Sequence, residues 1–342
     1  MEPLRIGILG AARIAGTAIA APARETGHRL VAVAARDRGR AEAFAAEHGV
    51  ERVADGYAEL LADDEIDVVY NPLPNGLHGP WNLAAVRAGK HVLSEKPFAA
   101  NASEAREVAA AAEAAGVRVM EAFHYLYHPV LLRLHEILDS GELGELRAAE
   151  AELLIPAPAD SDPRWSFELA GGALMDVGCY GLHALRGLAP WAGGAPVLES
   201  ATGTARRPGV DQAVDARLAF PGGATGVVRC DMAAAEVRFR LRLTGTRGEA
   251  TAVNFVRPDT DDRVLIGDRV EHLGRRPSYS YQLEAFAAHV RDGAPLRNDL
   301  ADAPLRNDLA DAVATMALID ECYRAAGFPV RPRSRVEPVT GG

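Results

Sequence analysis

The alternation of two periodicities over the first 122 residues constrains this chain more than any other feature. Short runs rich in β-branched and apolar residues occur at Leu4–Leu9, Leu30–Ala34, Asp67–Tyr70, His91–Ser94 and Val117–Glu121. Between them lie longer stretches rich in Ala, Glu and Arg, such as Arg38–His48, Leu77–Ala88 and Ser103–Ala115, with the spacing and composition of helices. Gly49, Gly89 and Gly116 follow these stretches directly, where a helix end favours a left-handed residue. Strands alternating with helices predict a parallel, doubly wound α/β sheet with right-handed crossovers.

The pattern changes near residue 123. A helical stretch at Pro129–Asp139 leads into a strand-like run at Leu146–Ile155, a loop rich in Pro and Asp, and a helical candidate at Gly172–Leu188. Apolar runs at Ala213–Phe220, Thr225–Met232, Val237–Thr244 and Ala250–Phe255 are then separated by Gly and Pro turn signals rather than by helices. Helices at Tyr281–Arg291 and Asp308–Ala326 end the pattern. The expectation is a second, α+β unit with a large, mostly antiparallel open sheet. At 342 residues the chain exceeds the roughly 250–300 at which single cores stop growing. It divides into residues 1–122 and 123–342. An open sheet leaves one face uncovered, which suits a homodimer.

Charge and cysteines narrow the setting. The 47 acidic residues exceed the 37 basic ones, for a net charge of -10, which argues against nucleic-acid and anionic-membrane partners. No run of about 18 apolar residues is present to span a membrane, and the N-terminus reads as a strand rather than a secretory signal. Cys179, Cys230 and Cys322 are widely spaced and odd in number, as expected of reduced thiols in a cytoplasmic protein. The segment PLRNDLADA occurs twice in tandem, at Pro295–Ala303 and Pro304–Ala312. It is too short for a solenoid unit and reads as a duplication in a surface loop, with Pro304 stopping the first copy from joining the final helix.

The first strand runs into Gly7-Ile8-Leu9-Gly10-Ala11-Ala12-Arg13-Ile14-Ala15. Gly10, Ala12 and Ala15 occupy the places of the Rossmann dinucleotide fingerprint GxGxxG/A, with Ala12 departing from the usual second glycine. The second strand ends not in an acid but in Ala35 and Arg36, with Arg38 and Arg40 close behind. Guanidinium groups suit a ribose 2′-phosphate, so NADP is expected over NAD. Asp37 could itself reach the ribose, and the arginines could equally form a solvated helix face. The remaining unusual clusters also fall at strand carboxyl ends, where ligands of such sheets bind. These are Pro72, Pro74, Asn75 and His78 after one strand, Glu95-Lys96-Pro97 after the next, and Glu121 to His124 after the last.

Asp176 and Tyr180 are four apart on a predicted helix and share a face. A phenol with its ordinary pKa near 10 needs a nearby cation to act as a base at neutral pH, and Lys96 is the candidate. Tyr180 is therefore the expected acid/base group for an alcohol, with Lys96 lowering its pKa while holding the nicotinamide ribose or substrate oxygen, and Asp176 orienting the substrate hydroxyl or the lysine. His183, three residues further along, is a secondary candidate for contact with substrate. His124 and His128, spaced i, i+4, lack a third ligand of convincing spacing, so no metal is expected. Arg164 and Trp165 either line the site or pack.

These residues resemble the family of glucose–fructose oxidoreductase and inositol dehydrogenase, the Gfo/Idh/MocA family. The resemblance rests on Gly7–Ala15, Pro74-Asn75 with His78, Ala88–Val92 leading to Glu95-Lys96-Pro97, Gly171–Gly178 and Tyr281–Phe286. Ala34–Asp37 and Met120–Ala122 look most like its dimeric dihydrodiol dehydrogenase branch, which includes NADP-dependent xylose dehydrogenases. The resemblance implies hydride transfer between NADP and a hydroxyl-bearing carbon of a sugar, polyol or cyclic diol. It implies cofactor contacts from Gly10, Ala12, Arg13, Ile14, Arg36, Pro72, Pro74, Asn75, His78, Glu95, Lys96 and Arg164, and substrate contacts from His124, Tyr180 and His183. Leu126 stands where many relatives carry arginine, and Ala173 where they carry a third glycine. A non-catalytic NADP-binding sensor, or an aldose–ketose oxidoreductase with tightly bound cofactor, would share the same scaffold.

Overall fold

The computed structural model describes residues 2–296 and 308–333. Strands β1 (Arg5–Leu9), β2 (Arg29–Ala34), β3 (Arg52–Val53), β4 (Val68–Asn71), β5 (His91–Ser94) and β6 (Val119–Glu121) form one sheet in the order β3-β2-β1-β4-β5-β6. Every pair is parallel. The direction of strand addition reverses between β1 and β4, which opens a crevice at their carboxyl ends. Helices α1 (residues 13–26), α2 (Arg38–His48), α3 (Tyr57–Ala62), α4 (His78–Arg87) and α5 (Ala102–Ala115) connect the strands. The two best-capped of these follow the sequence most closely. Asp37 accepts the Arg40 amide at 2.9 Å and Gly49 ends α2 at φ 72°; Asn101 and Gly116 do the same for α5.

The second sheet has eight strands: β7 (Leu146–Leu154), β8 (Val197–Arg207), β9 (Val210–Ala219), β10 (Thr225–Asp231), β11 (Arg238–Gly245), β12 (Glu249–Ala252), β13 (Arg263–Ile266) and β14 (Arg269–His272). Their order is β14-β13-β12-β11-β7-β10-β9-β8, antiparallel throughout except for the β7–β10 pair. Helices α6 (Pro129–Asp139) and α7 (residues 174–186) pack on one face. On the other, Arg240 pairs with Glu152 at 2.8 Å and Arg242 reaches Glu150 across neighbouring strands. That face, which no described helix covers, is charged rather than apolar.

The last two helices return to the first sheet. α8 (Ser278–Asp292) packs on α1 and on residues 124–127, and its Arg291 reaches Asp67 at 2.6 Å. α9 (Leu309–Ala325) lies against α5, α7 and β8. Asp308 caps α9, so the end of the second PLRNDLADA copy forms its first turn. The rest of the duplication, with Pro304, lies outside the described residues.

The turn that launches α7 is built around a buried ion pair. Asp211 and Arg331, both with no exposed side-chain surface, meet beside Gly172. Asp211 also accepts from the Leu174 amide at 2.7 Å and from the Tyr323 hydroxyl at 3.0 Å, while Arg331 donates to the Gly171 carbonyl at 2.8 Å. Gly172 has φ +127°, and a Cβ there would run into Asp211. Gly172→Ala and Arg331→Met are each expected to destabilise the fold by about 3–5 kcal/mol, because each leaves the buried Asp211 strained or unpaired. Denaturant midpoints measure this, and midpoints within experimental error of wild type would show that the turn is not held by the pair.

Candidate active site

Gly10 ends β1 at φ +95°, its amide bonded to the Ala34 carbonyl at 2.6 Å, and a Cβ there would press on Leu73 at 3.0 Å. This sharp turn aims the N-terminus of α1 into the crevice. Ala12 is the N-cap residue and supplies no side-chain bond, so the first amides of α1 have no side-chain cap. Arg13 and Ile14 are exposed on that first turn, Ile14 at 39%. Free amide donors, a helix dipole and no acid in the first turn fit a pyrophosphate.

The arginines after β2 divide in function. Arg38 is engaged with Glu42 and Asp55. Arg40 turns back to donate to the Ala11 carbonyl at 3.2 Å, which brings its charge to the fingerprint turn. Arg36 is exposed and pairs with no carboxylate among the described residues. Asp37 caps α2, its Oδ1 accepting from the Arg40 amide at 2.9 Å. A free guanidinium with its neighbouring carboxylate turned away fits a 2′-phosphate better than a 2′-hydroxyl.

Opposite this turn, Lys96 projects from the end of β5 toward α7. Its Nζ donates to the Asp176 carbonyl at 2.8 Å, lies 3.8 Å from Asp176 Oδ1, and sits 5.2 Å from the centre of the Tyr180 ring. Residues Leu174–Gly178 form a π-turn, not the regular helix expected from spacing. Such a turn takes carbonyls out of the ordinary ladder, and the Asp176 carbonyl finds Lys96 instead. Arg164 is 3.5 Å from the other Asp176 oxygen and forms a bidentate pair with Asp162. Burial opposes the Lys96 charge, but Asp176, Cys179 and Glu95 beside it outweigh burial and hold its pKa above the ordinary lysine value. Glu95 is buried, accepts from Tyr70 at 2.8 Å, and is pushed up by that burial.

Lys96, Asp176, Tyr180 and Arg164 thus converge as the sequence suggested, but Tyr180 behaves differently from expectation. Burial, with Tyr279 and Glu95 adding to it, pushes its pKa well above the usual phenol value, and Lys96, 5.2 Å from the ring centre, does not offset this. Three histidines also change part. His78 is buried, with Nδ1 2.7 Å from the Pro97 carbonyl and Nε2 2.6 Å from the Leu73 carbonyl, so it ties two loops together. His183 was expected near substrate, yet its ring stacks on Phe123, with Nδ1 2.6 Å from the Tyr125 hydroxyl and Nε2 2.8 Å from Asp311. His124 has no exposed surface, and its nitrogens meet Ser278 and Tyr180. Neither His183 nor His124 keeps a ring nitrogen free for substrate. His128 caps α6 through Nδ1, and no cluster of metal-ligating side chains exists among the described residues. Pro72 is buried, Pro74 and Asn75 are half-buried at the β4 end, and Asn75 donates to the Ala170 carbonyl at 3.4 Å. Trp165 is buried in packing. Sequence reasoning missed Ser278, Asp311 and the Asp211–Arg331 pair, which become neighbours of the site only through the return of α8, α9 and the tail.

Comparisons with known proteins agree with this geometry. Residues 4–123 match the oxidoreductase family with an NAD-binding Rossmann fold, and residues 131–251 match the GFO/IDH/MocA C-terminal domain. The chain is 37% identical to D-xylose 1-dehydrogenase (NADP(+)) 2 of Haloferax volcanii, covering 94% of this chain and 97% of that protein. It is 35% identical to mouse trans-1,2-dihydrobenzene-1,2-diol dehydrogenase over 78% of this chain and 79% of that one. A 3-ketoreductase from Actinomadura kijaniata, solved in complex with NADP and TDP-benzene, superposes with a TM-score of 0.83 at 30% identity, over 95% of this chain and 98% of that chain. The chain belongs to the GFO/IDH/MocA family of oxidoreductases.

Proposed function

We propose that this protein is an NADP-dependent dehydrogenase acting on a hydroxyl-bearing carbon of a sugar, polyol or cyclic diol, with Tyr180 as its acid/base group. The carrying observation is the meeting of Lys96, Asp176 and Tyr180 at the carboxyl edge of the parallel sheet. NADP, when bound, supplies or accepts the hydride. Residues 1–122 would hold it, through the amides at Gly10–Ile14 and the charge of Arg36, and residues 123–342 would shape the substrate pocket. Lys96 would hold the substrate oxygen beside the Tyr180 hydroxyl, and Asp176 would keep the ammonium charged and aimed. In the reducing direction Tyr180 gives its proton to the carbonyl oxygen; in the oxidising direction the phenolate accepts the alcohol proton. A sensor that only held the nucleotide would need none of these three residues.

A homodimer through the outer face of the eight-stranded sheet is part of this proposal, and the Arg240–Glu152 and Arg242–Glu150 pairs there would make its interface polar. Three free, buried cysteines fit a reducing, cytoplasmic setting. No described helix is long and apolar enough to cross a membrane.

Reduction of NADP with D-xylose, inositols and trans-dihydrodiols, followed by nicotinamide absorbance, tests the activity directly. Tyr180→Phe is expected to lower turnover by about 10²–10⁴-fold while leaving NADP affinity little changed. Near-normal turnover in that variant would remove Tyr180 from the chemistry. Arg36→Ala is expected to raise the Michaelis constant for NADP by about 10–100-fold, the worth of one lost charge-assisted bond to phosphate, with NAD hardly affected. Equal effects on both cofactors would mean that Arg36 does not face the 2′-position.

A further inference from the structure

Behind Tyr180 lies an imidazole that the mechanism above leaves unused. His124 Nε2 is 3.2 Å from the Tyr180 hydroxyl, and Nδ1 is 2.7 Å from Ser278 Oγ at the first turn of α8. Tyr279 lies against the ring at an interplanar angle of 34°, with centroids 3.9 Å apart, and neither His124 nor Ser278 is open to solvent. The ring is therefore pinned on three sides, with the Tyr180 oxygen as one of its partners.

A neutral imidazole carries one donor and one acceptor. If Ser278 donates to Nδ1, then Nε2–H must donate to the Tyr180 oxygen. That arrangement leaves the Tyr180 proton free to face the substrate, and it supplies a hydrogen bond to the phenolate once the proton has gone. In the opposite tautomer the Tyr180 proton is held by Nε2 and faces away from substrate. We propose that Ser278 fixes the tautomer of His124, so that Nε2–H donates to the Tyr180 oxygen and makes His124 a positioning residue for proton transfer at that hydroxyl. The inference rests on the reading of Tyr180 as the acid/base group.

Burial, reinforced by the charges of Lys96 and Arg257, pushes His124 down to about 3, so it stays neutral wherever the enzyme would be assayed. The other ionisable groups facing the pair come from several elements. Lys96 and Glu95 lie at the β5 end, Asp176 and Cys179 on α7, Tyr279 on α8, Arg257 and Asp259 in the loop after β12, and His128 beside His124. All remain in the variants below, so a difference from wild type isolates His124.

The sign follows from the form being stabilised. In alcohol oxidation the phenolate is the base, so turnover rises with pH as Tyr180 ionises in the complex with NADP and alcohol, where the nicotinamide cation and the Lys96 ammonium would oppose the burial that raises its pKa. Removing a donor to the phenolate disfavours ionisation, so the rising limb in His124→Phe should move about 1–2 units to higher pH, with convergence toward wild type at high pH. His124→Gln, whose amide N–H can stand near the Nε2 position, should return the limb toward wild type. Ser278→Ala should shift it in the same direction as His124→Phe but less. The measurement is the pH profile of turnover with NADP and the substrate oxidised fastest in the screen above. A limb that stays in place in His124→Phe while turnover drops equally at every pH would make the imidazole a packing group and overturn the proposal. If His124→Phe does not fold, an unmoved limb in Ser278→Ala overturns it instead. The Tyr180→Phe control separates the two readings. If it keeps the wild-type limb, the acid/base role itself fails; if it abolishes the limb while the His124 variants leave theirs unmoved, only the Ser278–His124 chain fails.

Discussion

The hydrogen bond from Lys96 to the Asp176 carbonyl, with the ion pair beside it, joins a strand end of one sheet to a helix packed on the other. The two residues are 80 apart in sequence, and nothing local brings them together. Their meeting requires that β5 end where it does, that α7 start at the Gly171–Gly172 turn, and that α8 and α9 return to brace the first sheet. Each requirement has its own physical anchor. Asp211 and Arg331 hold the start of α7, and Arg291 and Asp67 hold the return of α8. The ammonium is mostly buried, so it persists as a cation only because carboxylates surround it.

The parallel sheet was legible because its evidence is local and redundant. The α2 helix lies between a capping Asp37 and a left-handed Gly49, and its range matches the reading from sequence residue for residue. The edge strand β8, mostly exposed and without alternation, carries no hydrophobic signal and was not anticipated. β13 and β14 were missed for a different reason. Gly267-Asp268 between RVLI and RVEH is a two-residue hairpin signal, with Gly267 at φ +54°, but the strands beside it are too short to stand out. The first sheet's two-residue β3 is shorter still.

Within the site, residues at strand ends were readable and residues that bond across the chain were not. Lys96 follows a strong strand and precedes Pro97, and its place could be inferred from those neighbours alone. His78, His124 and His183 looked like ligand-facing histidines because each sits near a strand end or a catalytic helix. Their partners, Leu73 and Pro97, Ser278 and Tyr180, and Tyr125 with Asp311, show that both nitrogens of each imidazole face protein groups. A buried histidine must find two partners, and sequence spacing does not reveal whether those partners are substrate or protein.

The raised pKa of Tyr180 changes how its chemistry should be understood. With burial around it and Tyr279 and Glu95 nearby, the phenol keeps its proton more tightly than a free tyrosine does. A raised pKa keeps the hydroxyl form present at neutral pH, so the proton that reduction of a carbonyl needs is in place, while the phenolate that oxidation of an alcohol needs is scarce. On the proposed role, oxidation needs the phenolate, and two groups beside it can favour that form: the Lys96 ammonium, 5.2 Å from the ring centre, and the His124 nitrogen, 3.2 Å from the hydroxyl. On the proposed role of Tyr180, the bond that joins Lys96 to the Asp176 carbonyl also engages the cation that would stabilise the phenolate, so the two demands fall on one ammonium.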